Sequence, residues 1–359
     1  MATLVRDLLT KGLLASHRCP WLRTTNLQLR PFSILTTHKM SEDRIEMFVE
    51  PQIQAILKQV TGKNYQRVFR KRKIGQKIRE PKYTFMTREQ LEQSLEDADQ
   101  RADKLLQMPP VLRARKPIEK ELSFDPQIQG VEKSTIIFTD ITMNISDRDR
   151  LIVARDPDGT LRHASWEERD KVNSIYYPRE GKEFYTPKMF TDPDLLRSVL
   201  DRASEQDNTY EFVLDRACLQ FEPDDASFIS ICEKTYQTID RQQHYDFLKS
   251  TRHFGPMVFY LTRTRQMDNL LLYSIKHERV SSDATLLISL FHLLFPDSKS
   301  NTVAQKLTND VDKVRAYIEL DAVKRSELEL QLNAYEEIIK RRNELTEELE
   351  KSHGIEQKN

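Results

Sequence analysis

Five aspartates fall within a short stretch of the chain, and they are the first residues whose type and spacing suggest chemistry: Asp140, Asp147, Asp149, Asp156 and Asp158. Carboxylate oxygens are the ligands that Mg²⁺ prefers, and such a group can serve phosphoryl transfer. A metal-dependent nuclease that needs Asp140 or Asp149 is therefore one hypothesis. However, Asp147 and Asp149 alternate with arginines between two predicted strands. We therefore favour the interpretation that the aspartates form the charged rim of a hairpin.

Other catalytic and metal-binding patterns are absent from the sequence. It contains no G-x-S-x-G elbow, no phosphate-binding P-loop and no H-E-x-x-H pair,. Only 8 of the 359 residues are glycine, which argues against a glycine-rich nucleotide cradle,. Cys218 and Cys232 lie on apolar helical faces and are predicted to be buried structural thiols. We predict no enzyme activity, no catalytic residue, no metal site and no cofactor.

A basic segment offers a different kind of function. Residues 63–79 contain eight cations and no acid, with aromatic side chains interspersed. Closely spaced cations repel one another unless a polyanion or solvent screens them. The alternative is a solvated basic linker, but we favour RNA binding. The predicted RNA-binding residues are Lys63, Arg67, Arg70, Lys71, Arg72, Lys73, Lys77 and Arg79.

The overall charge balance conceals a basic first segment. Lys and Arg number 56, as do Asp and Glu, yet residues 1–39 hold six bases against one acid. Leucines at helical spacing and many hydroxyl residues accompany them, a composition typical of a mitochondrial import leader. We expect a matrix protein, cleaved after Phe32.

The longest apolar run, 286–295, is too short to span a bilayer, which takes about 20 residues.

The elements that must position these residues are mostly helices. Residues 40–130 are expected to contain the basic segment, a helix capped by Thr87 and Gln90, and a proline-rich connector. Apolar residues of that helix form one stripe: Leu91, Leu95, Ala98, Ala102 and Leu105. Residues 131–181 are expected to form a small antiparallel hairpin region followed by a helix. The predicted strands lie at 137–143, 151–154 and 161–163. A turn at Asp156–Gly159 joins the last two strands, and Ser165 and Glu168 cap the helix. Helix starts recur through 182–297, which suggests stacked helical hairpins, and residues 298–359 suggest a long charged helix.

The predicted fold class is therefore mostly α with a small antiparallel β element (α+β), in which a helical hairpin array is followed by a long C-terminal helix. Some apolar helical faces have no evident partner within the chain. Large unpaired apolar patches are rare on soluble monomers. The composition thus favours a protein built for contacts.

Several short and uncommon sequence motifs resemble those of a mitochondrion-specific ribosomal protein family, that of small-subunit protein twenty-two. They include MPPVL at 108–112, FTDI at 138–141, GTLR at 159–162, ASWEERD at 164–170 and FEPD at 221–224. The resemblance extends over about residues 83–295. It implies a non-catalytic structural component of the mitochondrial small ribosomal subunit, with neighbouring ribosomal proteins and rRNA as partners. It implies no small-molecule substrate. The alternative is a helical-repeat RNA-processing or ribosome-assembly factor of the mitochondrial matrix.

Overall fold

The computed structural model describes residues 46–69, 83–109, 115, 118, 120–131, 133–179, 181–203 and 208–352. The described helices before the sheet include α1 (Pro51–Thr61), α2 (Tyr65–Val68) and α3 (Arg88–Leu105). The strands are β1 (Glu121–Phe124), β2 (Ile136–Thr139), β3 (Ile152–Arg155) and β4 (Thr160–His163), followed by α4 (Trp166–Tyr176). The helical body continues with α5 (Lys188–Thr191), α6 (Pro193–Asp201), α7 (Thr209–Gln220), α8 (Ala226–Gln242), α9 (Phe254–Arg263), α10 (Asp268–Lys276) and α11 (Thr285–Leu294). The final helices are α12 (Lys299–Ala304), α13 (Asp310–Leu320) and α14 (Arg325–Ser352).

Two helices begin at the capping boxes that the sequence predicts. Thr87 accepts a hydrogen bond from the Gln90 amide at 3.3 Å, and the Gln90 side chain accepts one from the Thr87 amide at 3.1 Å. Ser165 and Glu168 repeat this exchange at the start of α4. Each box satisfies amide groups that have no partner inside the helix. Both predicted start points are confirmed.

The strands form one antiparallel sheet in the order β1-β4-β3-β2. Helix α4 covers one face, where Ile152, Ala154, Ala164 and Val172 make a small core. The sequence predicted the three strands β2, β3 and β4 but not β1, which it assigned to the extended connector. Strand β1 is only four residues long, all of them exposed, and its register against β4 is irregular. Its polar–apolar alternation is therefore too short to separate it from the connector before it.

The turn between β3 and β4 requires glycine. Gly159 has a φ of 92°, in the region that favours glycine,. A Cβ atom at this position would lie 2.3 Å from the backbone oxygen of Asp125, a contact that no side chain can make. The Asp125 amide in turn donates to the Gly159 carbonyl at 3.1 Å. This turn therefore lets the chain that follows β1 pack directly against the hairpin.

The main core lies within the helical body. Helix α9 packs against α1 and α11, and α7 packs against α8. The predicted apolar stripes supply much of this core, because Cys232, Tyr236 and Ile239 of α8 are buried. The fully buried side chains also include Leu57, Leu200, Leu214, Leu248, Met257, Leu261 and Met267. The stacked helices thus bury apolar faces against one another, as the predicted array of helical hairpins requires.

The long C-terminal helix that the sequence predicts is present as α14, but it begins only at Arg325, because the residues before it form the separate helices α12 and α13. The break before α14 depends on Asp268, which is buried at the start of α10. Its carboxylate accepts hydrogen bonds from the amides of Val323 and Lys324 at 2.8 and 2.9 Å. The Tyr317 hydroxyl donates to the same carboxylate at 3.0 Å. Asp268, which is distant in the sequence, thus accepts hydrogen bonds from amides that would donate to backbone carbonyls in a continuous helix.

An ionic cluster joins the sheet to the helical body. Glu222, between α7 and α8, is only 5% exposed and pairs with Arg148 at 3.0 Å and with Arg179 at 2.5 Å. Burial alone would raise the pKa of Glu222, but the charges of Arg179 and Arg148 lower it below its ordinary value,. Arg115 adds a second link, since it pairs with Asp170 of α4 at 2.8 Å and with Asp224 at 3.2 Å.

Replacing this carboxylate by its amide, Glu222→Gln, should lower the free energy of unfolding by about 3 kcal/mol at neutral pH, because two arginines lose a buried counter-charge. The pKa of Glu222 is lowered by folding, so its contribution is present above the unfolded value and is lost as pH falls through the folded value. Urea unfolding curves between about pH 3 and pH 7 should therefore depend less on pH in the variant.

The matched control is Glu319→Gln, which removes an exposed carboxylate of α13. It should change the free energy of unfolding by less than about 0.5 kcal/mol. Equal losses in the two variants would show that the Glu222 cluster does not stabilise the fold.

Candidate RNA and protein interface

The predicted RNA-binding segment leaves the helical body at Lys63, just after α1. The Lys63 ammonium lies 2.9 Å from Asp99 and 2.8 Å from Asp103, both on α3. Hydrogen bonds to Asp103 and Asp99 raise the pKa of Lys63 to about 12. The Tyr65 hydroxyl also donates to Asp99, at 2.9 Å. Lys63 is thus firmly cationic, and its contacts tie the segment to α3.

Arg67 makes a second attachment. Its guanidinium donates to the carbonyls of Asp246 and Phe247, which belong to a single turn of 3₁₀ helix in the body. The Asn64 amide donates to Ser250 Oγ at 3.2 Å, next to this turn. Lys63 and Arg67 therefore hold the start of the segment in place. The other predicted RNA-binding residues lie outside the described residues: Arg70, Lys71, Arg72, Lys73, Lys77 and Arg79.

An open groove of about 470 Å³ borders this attachment. Its cationic lining residues are Lys63, Arg67, Lys249 and Arg279, and its acidic ones are Asp246 and Asp283. Lys249 pairs with Asp283 at 2.5 Å, which neutralises part of that lining. Lys63 is likewise paired with Asp99 and Asp103, so the charges that line the groove are largely balanced by local partners.

The five aspartates each have a local partner. Asp140 accepts hydrogen bonds from the hydroxyl and amide of Thr142, which lower its pKa. Arg162 lies 2.7 Å from Asp156 and lowers the pKa of that carboxyl as well. The remaining three pair with Arg179, Ser146 and the Thr160 amide: Asp147, Asp149 and Asp158, respectively. Within the part of the chain that the structure describes, no three acidic, His or Cys side chains converge on a metal position.

A separate pocket of about 350 Å³ brings together residues that the sequence did not connect. Cys218, Cys232 and His253 are among its lining residues. His253 Nε2 lies 2.7 Å from Asp215, which also pairs with Arg252. Such a set resembles a cysteine nucleophile with its base, but burial raises the pKa of Cys218 to about 11. The thiol is therefore protonated at neutral pH and is a poor nucleophile.

His292, in the apolar run, is half-buried, and its Nε2 lies 2.9 Å from the Ser300 hydroxyl. Burial lowers its pKa, so the ring is mostly neutral at pH 7,.

Among the described helices, none combines the length and apolarity that a bilayer span demands.

The predicted stripe on α3 packs only in part. Ala102 is fully buried, whereas Leu91, Leu95 and Leu105 are each more than half exposed. The periodicity alone could not distinguish a stripe that packs on the chain's own core from one that faces outward. The described start of the basic segment, at Lys63, contacts the other half of the same helix.

Comparison with known proteins agrees with the resemblance in the sequence. The family described as Mitochondrial 28S ribosomal protein S22 matches residues 46–296. The chain is similar to Small ribosomal subunit protein mS22 of Mus musculus, 39% identical over 300 residues, which cover 83% of this chain and 81% of that protein. It is 38% identical to the Bos taurus protein of that name over 291 residues, which cover 81% and 79% of the two chains.

Proposed function

The chain belongs to the family of Mitochondrial 28S ribosomal protein S22, and we propose that it is a non-catalytic structural component of the mitochondrial small ribosomal subunit. The observation that carries the proposal is the family match over residues 46–296, which includes the sheet and the helical body through α11. The mouse and cattle relatives are both named as small ribosomal subunit proteins, and each aligns with this chain over about four fifths of its own length. In this role the protein supports mitochondrial translation.

Its partners are neighbouring ribosomal proteins and the small-subunit rRNA. The basic segment after Arg67 supplies the rRNA contact, because it carries six cations within residues 70–79. Lys63 and Arg67 support this assignment by fixing the start of the segment on the body. A segment anchored at its base loses less freedom when it binds, so more of its electrostatic attraction appears as affinity.

The protein acts in the mitochondrial matrix. The support is the acid-poor, amphipathic composition of residues 1–39, which is typical of an import leader,. The local pairing of the five aspartates and the raised pKa of Cys218 support a role without catalysis. A matrix RNA-processing or assembly factor is the less favoured alternative, because the relatives are named as subunit proteins.

Sedimentation of mitochondrial lysates tests this function. The endogenous protein should co-migrate with the small subunit at constant stoichiometry. It should remain bound in about 0.5 M KCl, because buried protein–protein contacts are screened far less than phosphate contacts. A dissociable assembly factor would instead be substoichiometric on mature subunits or run as a free species, and either result would contradict the proposal.

The basic segment makes a separate prediction for the full-length protein and a single-stranded piece of its small-subunit rRNA. If six cations neutralise phosphates, the logarithm of the binding constant should fall with the logarithm of the salt concentration at a slope near −4, because each neutralised phosphate contributes about −0.7. Replacing Arg70, Lys71, Arg72 and Lys73 by Ala should flatten the slope by roughly three units.

The control replaces four exposed lysines of the C-terminal region by Ala: Lys299, Lys306, Lys324 and Lys340. It removes the same total charge but should leave the slope near that of the unaltered protein. If the quadruple substitution at 70–73 leaves the slope unchanged, the segment is a solvated linker.

A further inference from the structure

The chain from Tyr83 to Leu95 exposes an unusual amount of apolar surface. The exposed fractions are 92% for Tyr83, 108% for Phe85, 49% for Met86, 51% for Leu91 and 62% for Leu95. These residues lie in the first half of α3 and in the residues just before it. Large contiguous apolar patches on soluble proteins mark interaction sites. This patch is called the α3 face below.

The α3 face is the outward continuation of a stripe that already packs. Leu91, Leu95 and Ala102 share one side of the helix, at the spacing of i, i+4 and i+11. Ala102 is fully buried against the body, and Lys63 pairs with Asp99 and Asp103 over the same half of the helix. The second half of α3 is therefore anchored, and it holds the first half away from the helical core.

The free half of α3 keeps its shape without tertiary packing from the described residues. The Thr87–Gln90 capping box satisfies its first amide groups. The Arg88–Glu92 pair, at 3.1 Å and a spacing of four residues, adds a small local contribution,. The helix is thus preorganised, and a partner that binds it does not have to order a free segment.

The charge of the α3 face selects the class of partner. Residues 88–97 contain four acids, Glu89, Glu92, Glu96 and Asp97, and one base, Arg88. Arg88 is already paired with Glu92. A helix that is apolar on one side and acidic around it repels a phosphate backbone. It is complementary to an apolar groove whose border carries Lys or Arg, which is the helix-in-groove mode of protein recognition.

We propose that the α3 face docks Leu91 and Leu95 into an apolar groove, bordered by basic residues, on another protein of the mitochondrial small subunit. This inference rests on the proposed function and assigns a protein partner to a surface next to the RNA-binding segment. The two neighbouring surfaces then differ in their partners, because one is cationic and the other is apolar with an acidic border. Lys63 links them through its contacts with Asp99 and Asp103.

The test uses the full-length protein in mitochondria depleted of the endogenous copy. Leu91→Ser with Leu95→Ser should reduce the fraction that stays on small subunits in high salt by at least about tenfold, because two apolar anchors are lost. The control Leu330→Ser removes another leucine with 71% exposure, on α14, and should sediment like the unaltered protein. Thermal unfolding of the purified double variant should match the unaltered protein, because both leucines face outward.

A photo-crosslinking amino acid at position 95 identifies the partner in purified subunits. The expected product is resistant to RNase and joins position 95 to another small-subunit protein, at a peptide with Lys or Arg beside apolar residues. Crosslinks to rRNA, or to residues 70–82 of the same chain, would overturn the proposal. If the unaltered protein does not sediment with subunits, the proposed function fails; if it does and the double variant sediments equally well, only this inference fails.

Discussion

The arrangement of the molecule depends on one buried carboxylate. Glu222 lies at the junction between the sheet and the helical body, where it is paired with Arg148 and Arg179. Among the described residues, the sheet and α4 share a core of four buried residues, so little apolar burial holds this region by itself,. Its attachment to the body is therefore essential, and at Glu222 and Arg115 that attachment is ionic. Buried ion pairs depend on geometry, so they orient the sheet as well as hold it.

A second consequence of the fold is the separation of charge around α3. The chain is neutral overall, with equal numbers of acids and bases, yet the start of the basic segment contacts an acidic helix. Lys63 fixes this arrangement because it belongs to the basic segment and is paired with two acids of the helix. The proposed role calls for contacts with both RNA and protein. The described start of the basic segment and the acidic helix α3 meet at Lys63.

Interactions between residues close together in the sequence could be predicted from it, whereas interactions between distant residues could not. The capping boxes at Thr87 and Ser165 and the Gly159 turn depend on residues a few positions apart, so the sequence predicted them. The break before α14 depends on Asp268, 55 residues from Val323, and no local pattern indicates it. Lys63 belonged to the predicted RNA-binding segment, but its pairing with α3 arises only in the fold. The exposed leucines of α3 have the same periodicity as buried ones, so exposure required the structure.

If the protein is a structural part of the small subunit, the subunit should need it in order to form. The most direct measurement is the amount of assembled small subunit, relative to large subunit, after the protein is depleted from cells. Small subunits and mitochondrial translation should fall together, while large subunits and cytosolic translation persist, and re-expression should restore them. Small subunits that assemble in normal amounts and translate normally without the protein would contradict this structural role.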